Sequence, residues 1–291
     1  MAATTAKAFD EFKAKLELTS TQKQGVTSRR DATAGYLKQA FPSTSDLPLS
    51  RTKLIGSASR GTIIRPIEDI DLLAVFENRN NIFDSYRYDS QTFLYRIRDG
   101  LKSYSSVKVV GARGQAVRFF YKDAPHVDVA PVFKWSGDGY GLPNGQGRWL
   151  TTDPDAHEAY FDRRNRELDY RLKPLVRMIK QWNRAHSKYL KSFHLEVMVS
   201  KAFNSLGGDS RNACEIFFGW AINNVTVYDP AGHGGDLSSY LTPTSRSNLI
   251  TNLRTAHQRS QDANVAESAG DHAEAIRLWR IVFGSEFPAY G

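Results

Sequence analysis

Asp69 and Asp71 flank Ile70 at the start of the run Asp69-Ile70-Asp71-Leu72-Leu73-Ala74-Val75-Phe76. Residues two apart on an extended strand share a face, so both carboxylates point one way and Ile70 the other. Two carboxylates so placed repel unless a cation joins them. Asp128 stands between Val127 and Val129 in a second strand-like run and is presented opposite to those valines. Three carboxylates on adjacent strands can hold two Mg²⁺ ions about 3.5 to 4 Å apart, which activates an attacking hydroxyl and neutralises a leaving pyrophosphate. Asp-Ile-Asp alone is weak evidence, because acidic pairs at strand ends are common surface features. Just upstream, however, Gly56-Ser57-Ala58-Ser59-Arg60-Gly61-Thr62 forms a Gly/Ser turn entering a helix, which offers backbone amides and a hydroxyl to a phosphate. Metal-binding acids one short connection after such a turn place triphosphate and Mg²⁺ in one site, as phosphoryl transfer requires.

The elements that must position these residues fall into an α/β region followed by a helical one. Phe9, Phe12 and Leu16 recur at helical spacing behind Thr4 and Thr5, and Val26, Thr33, Tyr36, Leu37 and Ala40 do so behind Thr19 and Ser20. Strand-like Asp69 to Phe76, Val107 to Val110, Ala116 to Tyr121 and His126 to Phe133, with a helical stretch near Phe93 to Leu101, predict a mixed sheet. From Asp155 onward the pattern is almost wholly helical. Pro174 suits the first turn of a helix whose apolar face is Leu175, Met178, Ile179 and Trp182. Lys173, Arg177, Lys180 and Arg184 form a basic stripe on the opposite side, with a solvated face as the plain alternative. A further helix starts at Ser192, read as its N-cap; a long polar helix runs from Ser245 to Ser268; Asp271 and Glu274 cap a last helix that Gly284 stops. The Gly/Pro/Trp stretch from Gly137 to Pro154 is the expected boundary, giving a catalytic lobe over 1–150 with the N-terminal helices and a helical lobe over 151–291 closing a nucleotide cleft.

Composition narrows the class. The chain has 291 residues, with 41% hydrophobic and 24% charged side chains, so it is an ordinary globular sequence with enough length for a large core. A single cysteine, Cys214, excludes an intrachain disulfide and a cysteine zinc cluster. No apolar run approaches the about 20 residues of a membrane span, and Asp10 and Glu11 interrupt the start where an export signal needs its apolar segment, so a cytoplasmic protein is expected. A formal charge of +8 suits anionic partners such as nucleotides, or simply a solvated basic surface.

Gly56-Ser57, Asp69-x-Asp71 and Asp128 within His126-Val127-Asp128-Val129-Ala130-Pro131 resemble the signature of the DNA polymerase beta-like nucleotidyltransferase superfamily. Lys173 to Asn183, Ser192-Phe193-His194-Leu195-Glu196 and Trp279 to Pro288 extend the likeness to the bacterial cGAS/DncV-like nucleotidyltransferases (CD-NTases), in particular a CdnE-like group. The resemblance runs in order over nearly the whole chain. It implies a bilobal fold of the α/β plus α class, with a mixed-sheet catalytic lobe and a helical second lobe. It makes Asp69, Asp71 and Asp128 the catalytic metal ligands for two Mg²⁺ ions, replaceable by Mn²⁺, with Asp128 also helping to deprotonate the attacking hydroxyl. Gly56 and Ser57 hold the β and γ phosphates, Lys180 and Ser192 contact the triphosphate, and Phe193 stacks on a base. Asn165 is expected to read a pyrimidine through its amide, or else to be a polar residue on an exposed helix face.

The implied activity is condensation of nucleoside triphosphates, as donor and acceptor, into a cyclic di- or oligonucleotide of the UMP-AMP, di-UMP or di-AMP type. Pyrophosphate leaves, and the product binds an effector protein in antiphage defence; a monomer needing neither nucleic acid nor membrane is expected. RNA tailing of the CCA-adding or poly(A) kind is a second possibility, weakened by the lack of an appended RNA-binding segment after Phe287-Pro288. A non-catalytic basic nucleic-acid-binding module is a third, and pairs such as Arg29-Arg30 and Arg163-Arg164 are too sparse to favour it.

Overall fold

Thr4 accepts a hydrogen bond from the Lys7 amide and starts helix α1, Thr5–Leu16. The next helix, α2 (Ser20–Ala40), opens with a capping box between Thr19 and Gln22. The computed structural model describes residues 2–103, 107–123, 125–135 and 137–291, and the chain forms two compact units. A sheet unit comprises residues 19–61 and 66–158; a helical unit comprises the chain up to Leu18, residues 62–65 and everything from Ala159.

After α2 the sheet unit contains β1 (Leu49–Ile55), the single turn α3 (Gly56–Ser59), β2 (Asp69–Phe76), α4 (Ser90–Leu101), β3 (Val107–Arg113), β4 (Ala116–Tyr121), β5 (His126–Lys134), β6 (Tyr140–Pro143) and β7 (Trp149–Thr152). A 3₁₀ segment, Arg79–Ser85, joins β2 to α4. The sheet order is β1-β2-β5-β4-β3, with β6 on β5 and β7 on β6; β2 and β5 run parallel and the other pairs antiparallel. Alternation assigns the faces. Ile70, Leu72, Val127, Val129, Val117 and Phe119 are buried on one side. There Thr33 of α2 meets the Tyr121 hydroxyl at 2.8 Å and Phe93 of α4 packs edge-on against Phe76. The other side carries Asp69, Asp71, Asp128 and Arg118 at one end and an apolar cluster of Leu73, Val75, Val132 and Tyr140 further along.

The expected boundary stretch is part of this sheet. Tyr140 and Gly141 pair with Lys134 and Phe133, and Trp149 to Thr152 pair back onto Tyr140 to Pro143. Trp149 of this stretch and Trp135 just before it enclose Phe83 with ring centroids 5.2 and 5.3 Å away, an aromatic corner of the sheet.

α5 (Pro154–Glu167) leads covalently into the helical unit, which contains α6 (Leu172–Ala185), α7 (Ser192–Lys201), α8 (Ser210–Ala221), α9 (Pro243–Ser268) and α10 (His272–Phe283). α1 belongs here, although it was expected with the first 150 residues: Phe9 meets Trp279 edge-on at 5.0 Å, and Phe12 lies 4.8 Å from Phe283. α6 is buried almost all round, from Leu172 through Trp182 and Asn183. Its basic residues are accordingly paired rather than solvated. Lys173 binds Asp162, Arg177 lies 3.5 Å from Glu17, Lys180 binds Glu196, and Arg184 donates to the Arg65 carbonyl. α9 is long and polar yet keeps Leu249, Leu253, Ala256, Ser260 and Ala263 buried at alternating spacings of four and three, a narrow stripe of mostly small residues. The Asp271 side chain accepts from the Glu274 amide to start α10, and Gly284 with φ 77° ends it, as the sequence predicts. Among the described residues no helix is long and apolar enough to cross a membrane.

Candidate active site

Strand register brings the acids together. In the parallel β2–β5 pair Asp69 is opposite His126 and Asp71 is opposite Asp128; in the antiparallel β4–β5 pair Asp128 is opposite Arg118. Asp71, Asp128 and Arg118 therefore form a row across three strands, with Asp69 one pleat repeat away on the same face. The Arg118 guanidinium clasps this group. Its Nε donates to Asp128 Oδ1 at 2.6 Å, and its Nη2 donates to Asp128 Oδ2 at 2.5 Å and to Asp69 Oδ2 at 2.9 Å. Burial, and then the neighbouring Asp128 charge, push the Asp69 carboxyl above its ordinary range, with Arg118 acting in the opposite sense. The same contacts, led by the bonds to Asp128, hold Arg118 still more firmly protonated than a free arginine.

Gly56 explains how the phosphate-turn candidate reaches this group. Its φ is +71°, and a Cβ built on it would lie 2.0 Å from Asp71 Oδ2. Only glycine lets the backbone pass this close to the carboxylate. Ser57 follows in the same single turn, α3, and the Ser59 hydroxyl closes that turn on the Gly56 carbonyl at 3.2 Å.

Three carboxylates on one face, with one of them raised in pKa by desolvation and a like charge, are the hard oxygen donor set that Mg²⁺ prefers. The residues fit that ion in type and in face. In the present arrangement Arg118 supplies the balancing charge, and among the described residues no group of three or more His, Cys, Asp or Glu side chains is disposed to hold a metal.

The four remaining candidates lie in the helical unit and serve its packing. Lys180, expected at a triphosphate, is 8% exposed and donates to Glu196 Oε1 at 2.5 Å, to the Thr62 carbonyl at 3.0 Å and to the Thr62 hydroxyl at 3.3 Å. Thr62 donates in turn to Glu196 Oε1 at 2.7 Å, and the Ser192 hydroxyl lies 3.4 Å from the same oxygen. Lys180 and Ser192 thus converge as expected, but on a buried carboxylate that the motif reading passed over. Ser192 is the first residue of α7 and Lys191 occupies the N-cap position without a side-chain cap, one residue earlier than expected. Phe193 is partly buried against the helical core. Asn165 is buried, which removes the exposed-face reading: its Oδ1 accepts from the Lys173 amide at 3.2 Å, and its carbonyl accepts from the Tyr170 amide at 2.7 Å. The oxygen of that amide fastens the turn between α5 and α6.

Arg118 and Glu196 are the residues that motif reading missed. Arg118 was detectable by the alternation that exposes Asp128, since Val117 and Phe119 point to the opposite face. Glu196 carries no signal beyond being one turn after Ser192.

Comparison with known proteins agrees with this geometry. The family model of the SMODS domain, the Second Messenger Oligonucleotide or Dinucleotide Synthetase domain, matches residues 3–165, a span that includes Gly56, Asp69, Asp71 and Asp128. The chain is 28% identical to a probable cyclic nucleotide synthase of Bacillus cereus, with 100% of this chain and 99% of that protein covered. It is 26% identical to a cyclic AMP-AMP-AMP synthase of an Acinetobacter strain, with 81% and 72% covered. Among solved structures, the Escherichia coli CdnC:HORMA-deltaN complex matches with a TM-score of 0.78 at 19% identity, covering 97% of this chain and 98% of the other, which shows a shared fold. The sheet with its paired acids, the helical unit and the family match together make this chain a member of the SMODS family, a bacterial CD-NTase with the polymerase beta-like nucleotidyltransferase fold.

Proposed function

We propose that this nucleotidyltransferase condenses nucleoside triphosphates, ATP among them, into a small cyclic oligonucleotide with release of pyrophosphate. We further propose that the product carries a defence signal to an effector protein. The observation that carries the reading is the in-register placement of Asp71 and Asp128 with Asp69 on the same face, under a glycine that brings the phosphate turn against Asp71. The name of the Acinetobacter relative supports adenine in the product. For the uracil-containing products expected from Asn165 the support is weaker, because the oxygen of that amide accepts from the Lys173 amide within the fold.

In this reading Asp69, Asp71 and Asp128 hold Mg²⁺, which would supply the positive charge that phosphoryl transfer needs at the reacting oxygens. Gly56 and Ser57 present amide and hydroxyl donors to the triphosphate and fix it for attack. Asp128 takes the proton of the acceptor hydroxyl. Lys180 with Glu196 anchors Thr62 within the helical unit. The defining experiment incubates pure protein and Mg²⁺ with labelled ATP, GTP, CTP and UTP, singly and mixed, and resolves phosphatase-resistant products by mass. A cyclic product containing adenine, formed without RNA, is expected. Extension of tRNA 3′ ends with no cyclic product would overturn the proposal in favour of an RNA-tailing enzyme.

A further inference from the structure

We infer that Arg118 is a built-in counter-ion of the metal-binding acids: its guanidinium competes with divalent cations for Asp128 and Asp69. The inference rests on the proposed metal role of the acids and adds a residue that competes for the same oxygens. Both Asp128 oxygens accept from Arg118, at 2.6 and 2.5 Å, and the nitrogen that bonds Asp128 Oδ2 also bonds Asp69 Oδ2 at 2.9 Å. These are charge-assisted, bidentate contacts, the strong kind. A metal held by Asp128 draws on the same two oxygens as the guanidinium, and full release of them favours the metal. Arginine cannot yield them by losing its proton, so it must move.

The fold gives Arg118 somewhere to go. Phe120, two residues on and on the same face of β4, has its ring centroid 5.9 Å from the guanidinium carbon, and the other side of the exchange is solvent, since the Arg118 side chain is 24% exposed. A cation resting over that ring keeps a favourable contact while the carboxylates are freed.

The test is Mn²⁺ binding to the full-length protein without nucleotide, read by electron paramagnetic resonance of the free ion and by the Mn²⁺-dependent rise in melting temperature. Arg118→Met should bind Mn²⁺ at least about tenfold more tightly than the wild type and show a larger thermal shift at equal Mn²⁺. Arg118→Lys, which keeps the charge but loses the fork, should fall between them and guards against misfolding of the methionine variant. Asp71→Asn tests the metal assignment separately and should lose Mn²⁺ binding. Equal or weaker Mn²⁺ binding in both Arg118 variants, with loss in Asp71→Asn, would overturn the counter-ion role alone. Binding that is absent from the wild type, or unaffected by Asp71→Asn, would overturn the metal assignment and the inference with it.

Discussion

Each unit of the molecule sets carboxylate against a basic side chain, and the two arrangements are opposite in exposure. In the sheet unit, Arg118 bonds both Asp69 and Asp128, whose side chains are 42% and 18% exposed, and burial followed by the neighbouring Asp128 charge raises the Asp69 pKa. In the helical unit, Lys180 and Glu196 are 8% and 0% exposed, the two opposite charges pair, and Thr62 bonds both. The first arrangement is reachable. The second is closed. A site that must accept a cation needs the first arrangement, whereas a buried pair tolerates only the second, because an uncompensated interior charge is costly.

The largest expected difference is in activity. Asp71→Asn or Asp128→Asn should reduce cyclic product to background while the protein stays folded, because a neutral amide removes charge from a crowded, partly exposed group. Asp69→Asn should be equally inactive, with a melting temperature equal to or above that of the wild type. The sign follows from its raised pKa: the ionised form is disfavoured in the fold, so stability linked to this group is lost as pH rises, and the amide avoids that loss. Product mass analysis beside thermal melting separates the two effects. A fall of many degrees in all three variants would make the acids structural and erase the contrast.

Lys180 should respond in the reverse way. Lys180→Met leaves the Glu196 carboxylate buried without the Lys180 charge, at a cost of about 3 to 5 kcal/mol in unfolding free energy. Adding Glu196→Gln should restore part of that loss, since the remaining groups are neutral. Urea unfolding of the two single variants and the double variant gives the coupling directly. If Lys180→Met unfolds at the wild-type midpoint but binds ATP poorly, the helical cluster belongs with the nucleotide after all.

How much of this was legible in the sequence follows the same division. The acids stood out because strand alternation has a period of two and a two-residue spacing reads directly as a shared face. The sheet around Asp69 to Phe76 and His126 to Phe133 was legible for the same reason. What escaped depends on partners distant in the chain. Arg118 faces Asp128 only because β4 and β5 pair in that register. The basic stripe of α6 looked solvated because nothing local says that Glu17, Asp162 and Glu196 will be brought to it. The Gly137 to Pro154 stretch looked like a linker because its glycines and prolines mark turns, while its short strands bury Tyr140 and bring Trp149 against Phe83.

A smaller effect is expected at Asn165. Replacing it with Ala leaves the Lys173 amide without its acceptor, which costs about 1 to 3 kcal/mol in a buried setting. Asn165→Ser should lose part of that amount. Because the amide is engaged within the helical unit, the ratio of bases incorporated from equimolar UTP and ATP should be the same in wild type and Asn165→Ser. A shift toward ATP in the serine variant would return Asn165 to the nucleotide site.

The smallest expected effect concerns how the helical unit treats a group that can choose its charge. His194 is buried, its Nε2 lies 2.7 Å from the Val225 carbonyl and its Nδ1 lies 3.0 Å from the Tyr240 hydroxyl. A neutral ring satisfies both contacts, donating from Nε2 to the carbonyl and accepting at Nδ1 from the hydroxyl. Burial lowers its pKa from 6.5, outweighing the carbonyl and the nearby Asp236, while Arg246 and Lys191 push the same way as burial. The folded value thus lies below the unfolded one, so the unfolded chain takes up the proton first. The stability contributed by the neutral ring is complete above the unfolded value of about 6.5 and is lost as pH falls through the folded value. Urea midpoints of wild type should therefore drop between about pH 7.5 and pH 5.5 more than those of His194→Gln, which has no proton to gain. Parallel declines in the two proteins would mean that His194 is accommodated as a cation, and the rule that this unit admits charge only in balanced pairs would fail at its one buried imidazole among the described residues.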